Sequence, residues 1–321
     1  MSILKRSLLL VSMVMLTVAV MAQSVEDAGA KYNEGNEFYK EKDYSNAVTA
    51  YEAALNTANE TGADADDLKG SIEKQLMNAY YKNGLAQYKG RKFDAAIAFL
   101  EKGYAFGEKL NDASMKKKTS TYIAKVRTSK GNSLLKSNKI NEAFAEYEMA
   151  TEILPNYPNA YYGKGMVYKA KDDMANMMVN MDKAIELGAG NPKAAKIAKK
   201  AKSTTAKALV NAGAKEIQKE HGKKATEYIV SSFNYNPGNA KAYYYLTLAY
   251  NNTKNWDKAI EAANKAIGME TDNKSDMYFA LGQAYEGKND AAGACNAYKN
   301  VTSGANVEVA KYQITQVLKC S

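Results

Sequence analysis

The sequence predicts an all-α fold built as an array of stacked helix pairs. Three observations carry this. A glycine returns in one helical phase, as Gly35, Gly84, Gly131, Gly165, Gly213 and Gly282. Twelve residues after each stands a compact side chain: Ala47, Ala96, Ala143, Met177, Ala225 and Ala294. Only 4 prolines accompany 46% apolar residues, which suits long helices, and no run alternates as a half-buried strand does. Recurrence at a fixed spacing marks an array in which each unit buries its apolar face on its neighbours. Such an architecture offers a surface rather than a pocket.

In chain order, the first unit holds Gly35, Phe38, Ala47, Tyr51 and Ala54. The units near Met77, Ala124 and Ala206 keep the glycine and the alanine, and two of them end in Pro155 and Pro237. The unit from Pro158 holds Tyr161, Gly165, Tyr168 and Ala184. The one from Ala240 holds Tyr243, Leu246, Tyr250, Ala259 and Ala266, with Thr247 in the glycine place. The last, from Ser275, holds Tyr278, Leu281, Gly282, Tyr285, Ala294 and Tyr298. This pattern resembles the tetratricopeptide repeat, a helix–turn–helix unit of about 34 residues. The resemblance covers seven units starting near 28, 77, 124, 158, 206, 240 and 275, within residues 23–304. It implies a superhelical α-solenoid in which glycine and alanine meet where helix A crosses helix B, aromatics filling the space beside them.

Successive glycine-phase positions step by about 34 or about 48 residues. The surplus, close to four helical turns, predicts that helix B and the next helix A are each lengthened by about two turns. Caps fit: Asp64 and Asp66 precede Leu68 to Tyr88, Asn111 and Asp112 precede a run to Ser137, and Asn191-Pro192 opens one reaching about Glu220. Residues 305–321, with Val307, Ala310, Ile314 and Val317 at helical spacing, are expected to form a capping helix over the last apolar face.

Residues 1–22 read as a secretory signal. Lys5 and Arg6 precede an apolar stretch from Leu8 to Ala22 that is too short for a ~30 Å bilayer core. Val20-Met21-Ala22 is a small-residue cleavage site; the alternative is an uncleaved anchor. The expected mature protein is exported and periplasmic, or secreted, without a membrane span. The short leader ending Ala-Gln and the Asn-, Lys- and Tyr-rich repeats are similar to exported proteins of Gram-negative Bacteroidota. Cys295 and Cys320 would be free to pair in an oxidising compartment. An antiparallel final helix ending at Cys320 strains the ~7 Å reach of a disulfide. The sequence leaves two outcomes open: a bridge, or a small buried Cys295 with a frayed Cys320.

Net charge is +9. Between Asn191 and Lys224 ten lysines face only Glu216 and Glu220, and this one segment makes the chain basic. Ala194, Ile197, Ala198, Ala201, Thr205, Ala208, Leu209 and Ala212 recur at helical spacing and should face inward. The lysines remain outside, either as a solvated face or as a dock for acidic protein, anionic lipid or lipopolysaccharide. Lys196, Lys199, Lys200 and Lys207 form the candidate docking ridge, each worth about 1 kcal/mol near an anionic surface.

Catalytic constellations are missing from the sequence. Its one histidine, His221, falls in a turn, without a serine or cysteine motif beside it. Gly163-Lys164-Gly165 lies within a helix, not in a phosphate loop, and Asp64, Asp66 and Asp67 lack the spacing of a calcium loop. No enzyme, cofactor, metal site or nucleic-acid partner is expected. The family resemblance instead implies a groove lined by helix A: Tyr32, Asn36, Tyr39, Lys40, Tyr81, Tyr88, Lys89, Asn132, Lys136, Tyr162, Tyr244 and Asn251. Tyrosine offers apolar area and a hydroxyl at low entropy cost, and asparagine can pair with a peptide backbone. Tyr32, Tyr81, Tyr162 and Tyr244 stand where the family's carboxylate clamp needs lysine, so a chaperone-tail receptor is not implied. The expected function is a non-enzymatic scaffold or adaptor that binds a polypeptide segment. Its rivals are a membrane-surface or anionic-glycan module on helix 191–224 and a carbohydrate-binding subunit.

Overall fold

The computed structural model describes residues 24–190, 192–237 and 239–320. The signal segment and Asn191 lie outside the described residues. Helices follow one another with short turns: α1 (24–40), α2 (Tyr44–Thr61), α3 (Asp66–Lys89), α4 (Phe93–Lys109), α5 (Ala113–Lys136), α6 (Ile140–Ile153), α7 (Pro158–Ala170), α8 (Met174–Ala189), α9 (Ala195–Gln218), α10 (Gly222–Ser232), α11 (Ala240–Asn252), α12 (Trp256–Met269), α13 (Ser275–Gly287), α14 (Ala291–Lys299) and α15 (Val307–Tyr312). Odd-numbered helices up to α13 are the A helices and the even ones their B partners. The chain divides into two compact units, one ending at Gly163 and the other beginning at Lys164.

Each A helix ends the same way. The residue seven after the glycine-phase position is left-handed in every pair: Lys42, Arg91, Asn138, Asp172, Glu220, Lys254 and Asn289. The next residue's amide reaches back five positions, as in Asp43 N–H to Phe38 O (2.9 Å) and Asp290 N–H to Tyr285 O (2.9 Å). This closes the orphan carbonyls of the A helix. That same next residue opens the B helix. Where it is aspartate, its carboxylate accepts from the third amide onward: Asp43 from Asn46, Asp173 from Asn176 and Asp290 from Gly293. Only glycine adopts this backbone without Cβ strain. Lys254→Gly should therefore raise stability, by about 0.5–1 kcal/mol after the added chain entropy is subtracted. A urea midpoint equal to or below that of the parent would refute this.

Helix pairs close on the glycine. Each bare Cα faces the side chain sixteen residues on, so the small residue makes room for a large one. Leu100 lies against Gly84, Tyr147 against Gly131, Met181 against Gly165 and Tyr298 against Gly282. Tyr51, Tyr147 and Tyr298 are almost wholly buried. The phase-plus-twelve alanines, from Ala47 to Ala294, are fully buried beside them. In the sixth pair the sizes exchange: Thr247 occupies the glycine place, and its partner position holds the small Ala263, both buried.

The inserts are helical, as the sequence predicts, but the turns are shared differently. α3, α5 and α9 each have 24 residues, against 13 in α7, α11 and α13. Their preceding B helices, of 18, 17 and 16 residues, exceed the 14 of α6 and α12 by less. About three turns thus go to helix A and about one to helix B. Asp66 and Asp67 lie in the first turn of α3, where the dipole favours acids. Asp112 accepts from Met115 N–H at 2.9 Å to start α5.

The C-terminus settles the cysteine pairing and departs from expectation in its helix. Cys295 and Cys320 form a disulfide, with Cα atoms 5.9 Å apart. The terminal helix does not run on as an α-helix. From Gln313 to Val317 it widens into a π turn, and Leu318 N–H bonds Gln313 O at 2.8 Å. The extra residue per turn leaves Val317 exposed and brings Leu318 onto Tyr298 and Val301. Cys320 N–H then folds back to Ile314 O, 2.8 Å away. Ala310 is buried, and Val307 and Ile314 pack beside it, as the spacing predicted.

Candidate interaction cleft and its relatives

A concavity that gathers several of the predicted groove residues lies in the first unit, between α3 and α5. On α3, Tyr81, Leu85 and Tyr88 follow each other at four and three residues, so they share a face. On α5, Tyr122, Ser129 and Asn132, spaced seven and three, also share a face. The two helices run side by side: the Tyr81 and Tyr122 rings meet edge-on at 5.8 Å, and the Tyr88 hydroxyl lies 2.8 Å from Ser129 Oγ. Burial, together with Tyr122, holds the Tyr81 hydroxyl above its ordinary pKa. Between the helices opens a cleft of about 600 Å³, lined by Leu85, Tyr88, Lys89, Arg91, Phe93, Tyr122, Ser129 and Asn132.

The cleft is positive. Arg91 sits in the left-handed turn with its guanidinium 5.9 Å from the Phe93 ring centre, and Lys125 lies 4.7 Å from that of Tyr122. Nearby acids are already engaged. Lys130 joins Asp94 and buried Glu146, both at 2.6 Å, and Arg127 joins Glu101 and Glu146 at 2.9 and 3.2 Å. The exposed Lys89 and Arg91 are left to set the sign at the rim.

Asn132 has a double role. Its Oδ1 accepts from the Tyr147 hydroxyl at 2.8 Å. Half of the amide is thereby spent on the core, and its Nδ2 end remains for a guest. Asn36 does the same for Tyr51 at 2.8 Å. These two residues are structural first, a correction to their expected use as two-ended peptide clamps. Asn251 is corrected more strongly: its Nδ2 donates to Ala280 O at 3.0 Å, and its Oδ1 is buried. It ties α11 to α13 instead of meeting a ligand.

The other predicted residues do not gather in this cleft. Tyr32 and Tyr39 stay on α1, half-buried against Tyr51 and Tyr44. Lys40 pairs with Glu37 at 2.7 Å, and Lys136 is exposed at the end of α5. Tyr162 is half-buried near the Tyr147 hydroxyl, whose pKa burial raises. Tyr244, in the second unit, is half-buried against Tyr245 at 5.5 Å. Tyr81, Tyr88, Lys89 and Asn132 are the ones brought together. Leu85, Arg91, Phe93, Tyr122 and Ser129 were not anticipated. Tyr122 lies nine residues before Gly131, in the added turns of α5, where a 34-residue frame assigns no role.

In the second unit, Lys196, Lys199, Lys200 and Lys207 are exposed on α9. His221 is exposed in its turn, with Nδ1 2.8 Å from Glu216 Oε2. Hydrogen bonds from His221 and Lys219 draw the Glu216 carboxyl down to about 2. Among the described residues no group of three or more His, Cys, Asp or Glu could hold a metal ion. No described helix is long and apolar enough to cross a membrane.

Residues 131–172 match a family model described as TPR repeat, and residues 158–188 match the tetratricopeptide repeat. No curated protein matches the chain. Solved structures do. YrrB, described as a TPR protein with an unusual peptide-binding site, is 20% identical over 55% of this chain and 83% of its own, with a TM-score of 0.37. MamA from residue 41 to its end, from Desulfovibrio magneticus RS-1, is 22% identical over 59% and 96%, with a TM-score of 0.38. A tetratricopeptide repeat protein from Parabacteroides merdae ATCC 43184 is 14% identical over 93% and 100%, with a TM-score of 0.29. The family matches fall on α5 to α8, where the glycine phase, the left-handed turns and the buried Tyr147 have been described. Residues 131–188 of this chain match tetratricopeptide-repeat models.

Proposed function

We propose that the chain is an exported, non-enzymatic adaptor of the bacterial cell envelope that holds an extended polypeptide segment in the α3–α5 cleft. The observation that carries this reading is the cleft's construction. Aromatic walls from Tyr88, Phe93 and Tyr122 supply apolar area. Asn132 offers an amide donor suited to a backbone carbonyl. Lys89 and Arg91 bias the site toward a segment carrying negative charge. Rigid helices position all of these, so little order is lost on binding. Export is supported by the signal-like residues 1–22 and by the Cys295–Cys320 bridge, which an oxidising compartment maintains.

Panning the protein against a displayed random-peptide library tests the reading. Enriched peptides should bind the parent and lose about 30-fold or more on Tyr88→Ala, the scale of an interface hot spot. Tyr88 is half-buried, so an unchanged far-ultraviolet spectrum would exclude misfolding. Failure to enrich any peptide, or equal binding by the variant, would remove the assignment.

A further inference from the structure

We infer that α9 lays its outer face on an anionic phospholipid surface, a second docking site independent of the cleft. The inner stripe of α9 is Ala198, Ala201, Thr205, Leu209 and Ala212, all buried. At 3.6 residues per turn, Lys196, Lys200 and Lys207 fall on the opposite side, with Lys199 at its flank. The stripe therefore runs straight outward along about three turns. No acidic residue occurs between Glu186 and Glu216. On the elements packed against α9, Glu227 of α10 is exposed and the other acids are engaged. Glu186 pairs with Lys183, Asp182 accepts from the Tyr235 hydroxyl, and Glu216 holds Lys219 and His221. Among the described residues no carboxylate is within ion-pair reach of Lys196, Lys199 or Lys207.

The chemistry of the ridge selects lipid over protein as its occupant. Between the lysines stand Ala195, Ser203 and Asn211, with neither an aromatic ring nor an arginine. Protein interfaces are anchored by Tyr, Trp and Arg and are depleted in Lys. Lysine is a hydrated point charge on a flexible stem. It needs no fixed partner geometry, and mobile headgroups offer none. A row of such charges gains from every phosphate that diffuses beneath it, and loses with salt.

The full chain should co-sediment with vesicles of phosphatidylcholine mixed with phosphatidylglycerol, and not with phosphatidylcholine alone. Raising salt should release it. Replacing Lys196, Lys199, Lys200 and Lys207 together by Gln should cut the partition coefficient by about 100-fold or more, at roughly fivefold per lysine, with the helical spectrum unchanged. Peptide capture by the cleft should survive those changes. Equal partition of the variant, binding to neutral vesicles as strong as to anionic ones, or no binding to either would overturn the inference. So would capture of soluble polyglutamate by the ridge with no uptake by anionic vesicles.

Discussion

Tyr147→Ala should destabilise the first unit by about 4 kcal/mol, the upper part of the range for removing a buried aromatic. Its ring is wholly buried. Gly131 on α5 and Gly163 on α7 both turn a bare Cα onto it. Its hydroxyl also donates to Asn132, a bond that truncation removes. The complementary change is as informative. A Cβ on Gly131 would come within 2.8 Å of the ring's Cε1. The ring has little room to move, because Gly163 also closes on its Cδ1, Cε1 and Cζ atoms. Gly163→Ala should then cost about 1–3 kcal/mol through overpacking. Urea unfolding followed by tyrosine fluorescence and circular dichroism reads both. A Gly163→Ala protein as stable as the parent would show that the two helices can part, and would end the close-packing account of this fold.

Reducing the Cys295–Cys320 bridge should release the C-terminal cap. The two residues are 25 apart, and chain-entropy bookkeeping gives about 3.5 kcal/mol for closing a loop of that size. The segment it holds has little else. α15 is six residues long, and Ala310 is its one fully buried side chain. Val309, Tyr312 and Val317 face solvent. Losing the bridge should therefore let residues 306–320 open locally while α13 and α14 stay paired. Amide exchange in α15 should rise by about a hundredfold or more after reduction, or in Cys320→Ser. The exposed flank of Tyr298 and Phe279 should bind an apolar dye. Unchanged exchange would mean that Ile314 and Leu318 hold the cap without the sulfur link.

Much of this was legible in the sequence, for identifiable reasons. A glycine that must admit a large side chain sixteen residues later is a local constraint repeated six times, and repetition makes a weak signal strong. Helical inserts were readable because Lys, Ala and Leu favour helix and Asp112 marks where α5 starts, whereas α3 and α9 follow Ala65 and Ala194 with no side-chain cap. How the added turns divide was not, since no residue marks where α2 yields to the short turn before α3 beyond the φ of +82° at Gly62. The sequence left the disulfide undecided because nothing in it marks the widening from Gln313 to Val317, which turns Val317 outward. In the cleft, Tyr81, Tyr88 and Asn132 were legible by repeat phase. Tyr122 was not, because it sits on the turns that the common repeat lacks. Asn36, Asn132 and Asn251 look alike on paper, and only the neighbouring hydroxyl or carbonyl decides how much of each amide is left over.

The uneven division of the added turns bears on how such a gene can change length. Eleven residues come within about 20° of a whole number of revolutions, so α3, α5 and α9 present the same sides to their neighbours as the shorter A helices do. An insertion or deletion of eleven codons there is nearly silent to packing. One of five or six would rotate everything upstream by roughly half a revolution and set lysine against alanine. Growth of this array by whole revolutions is thus the step that leaves every existing contact in place, and it adds fresh outward surface each time.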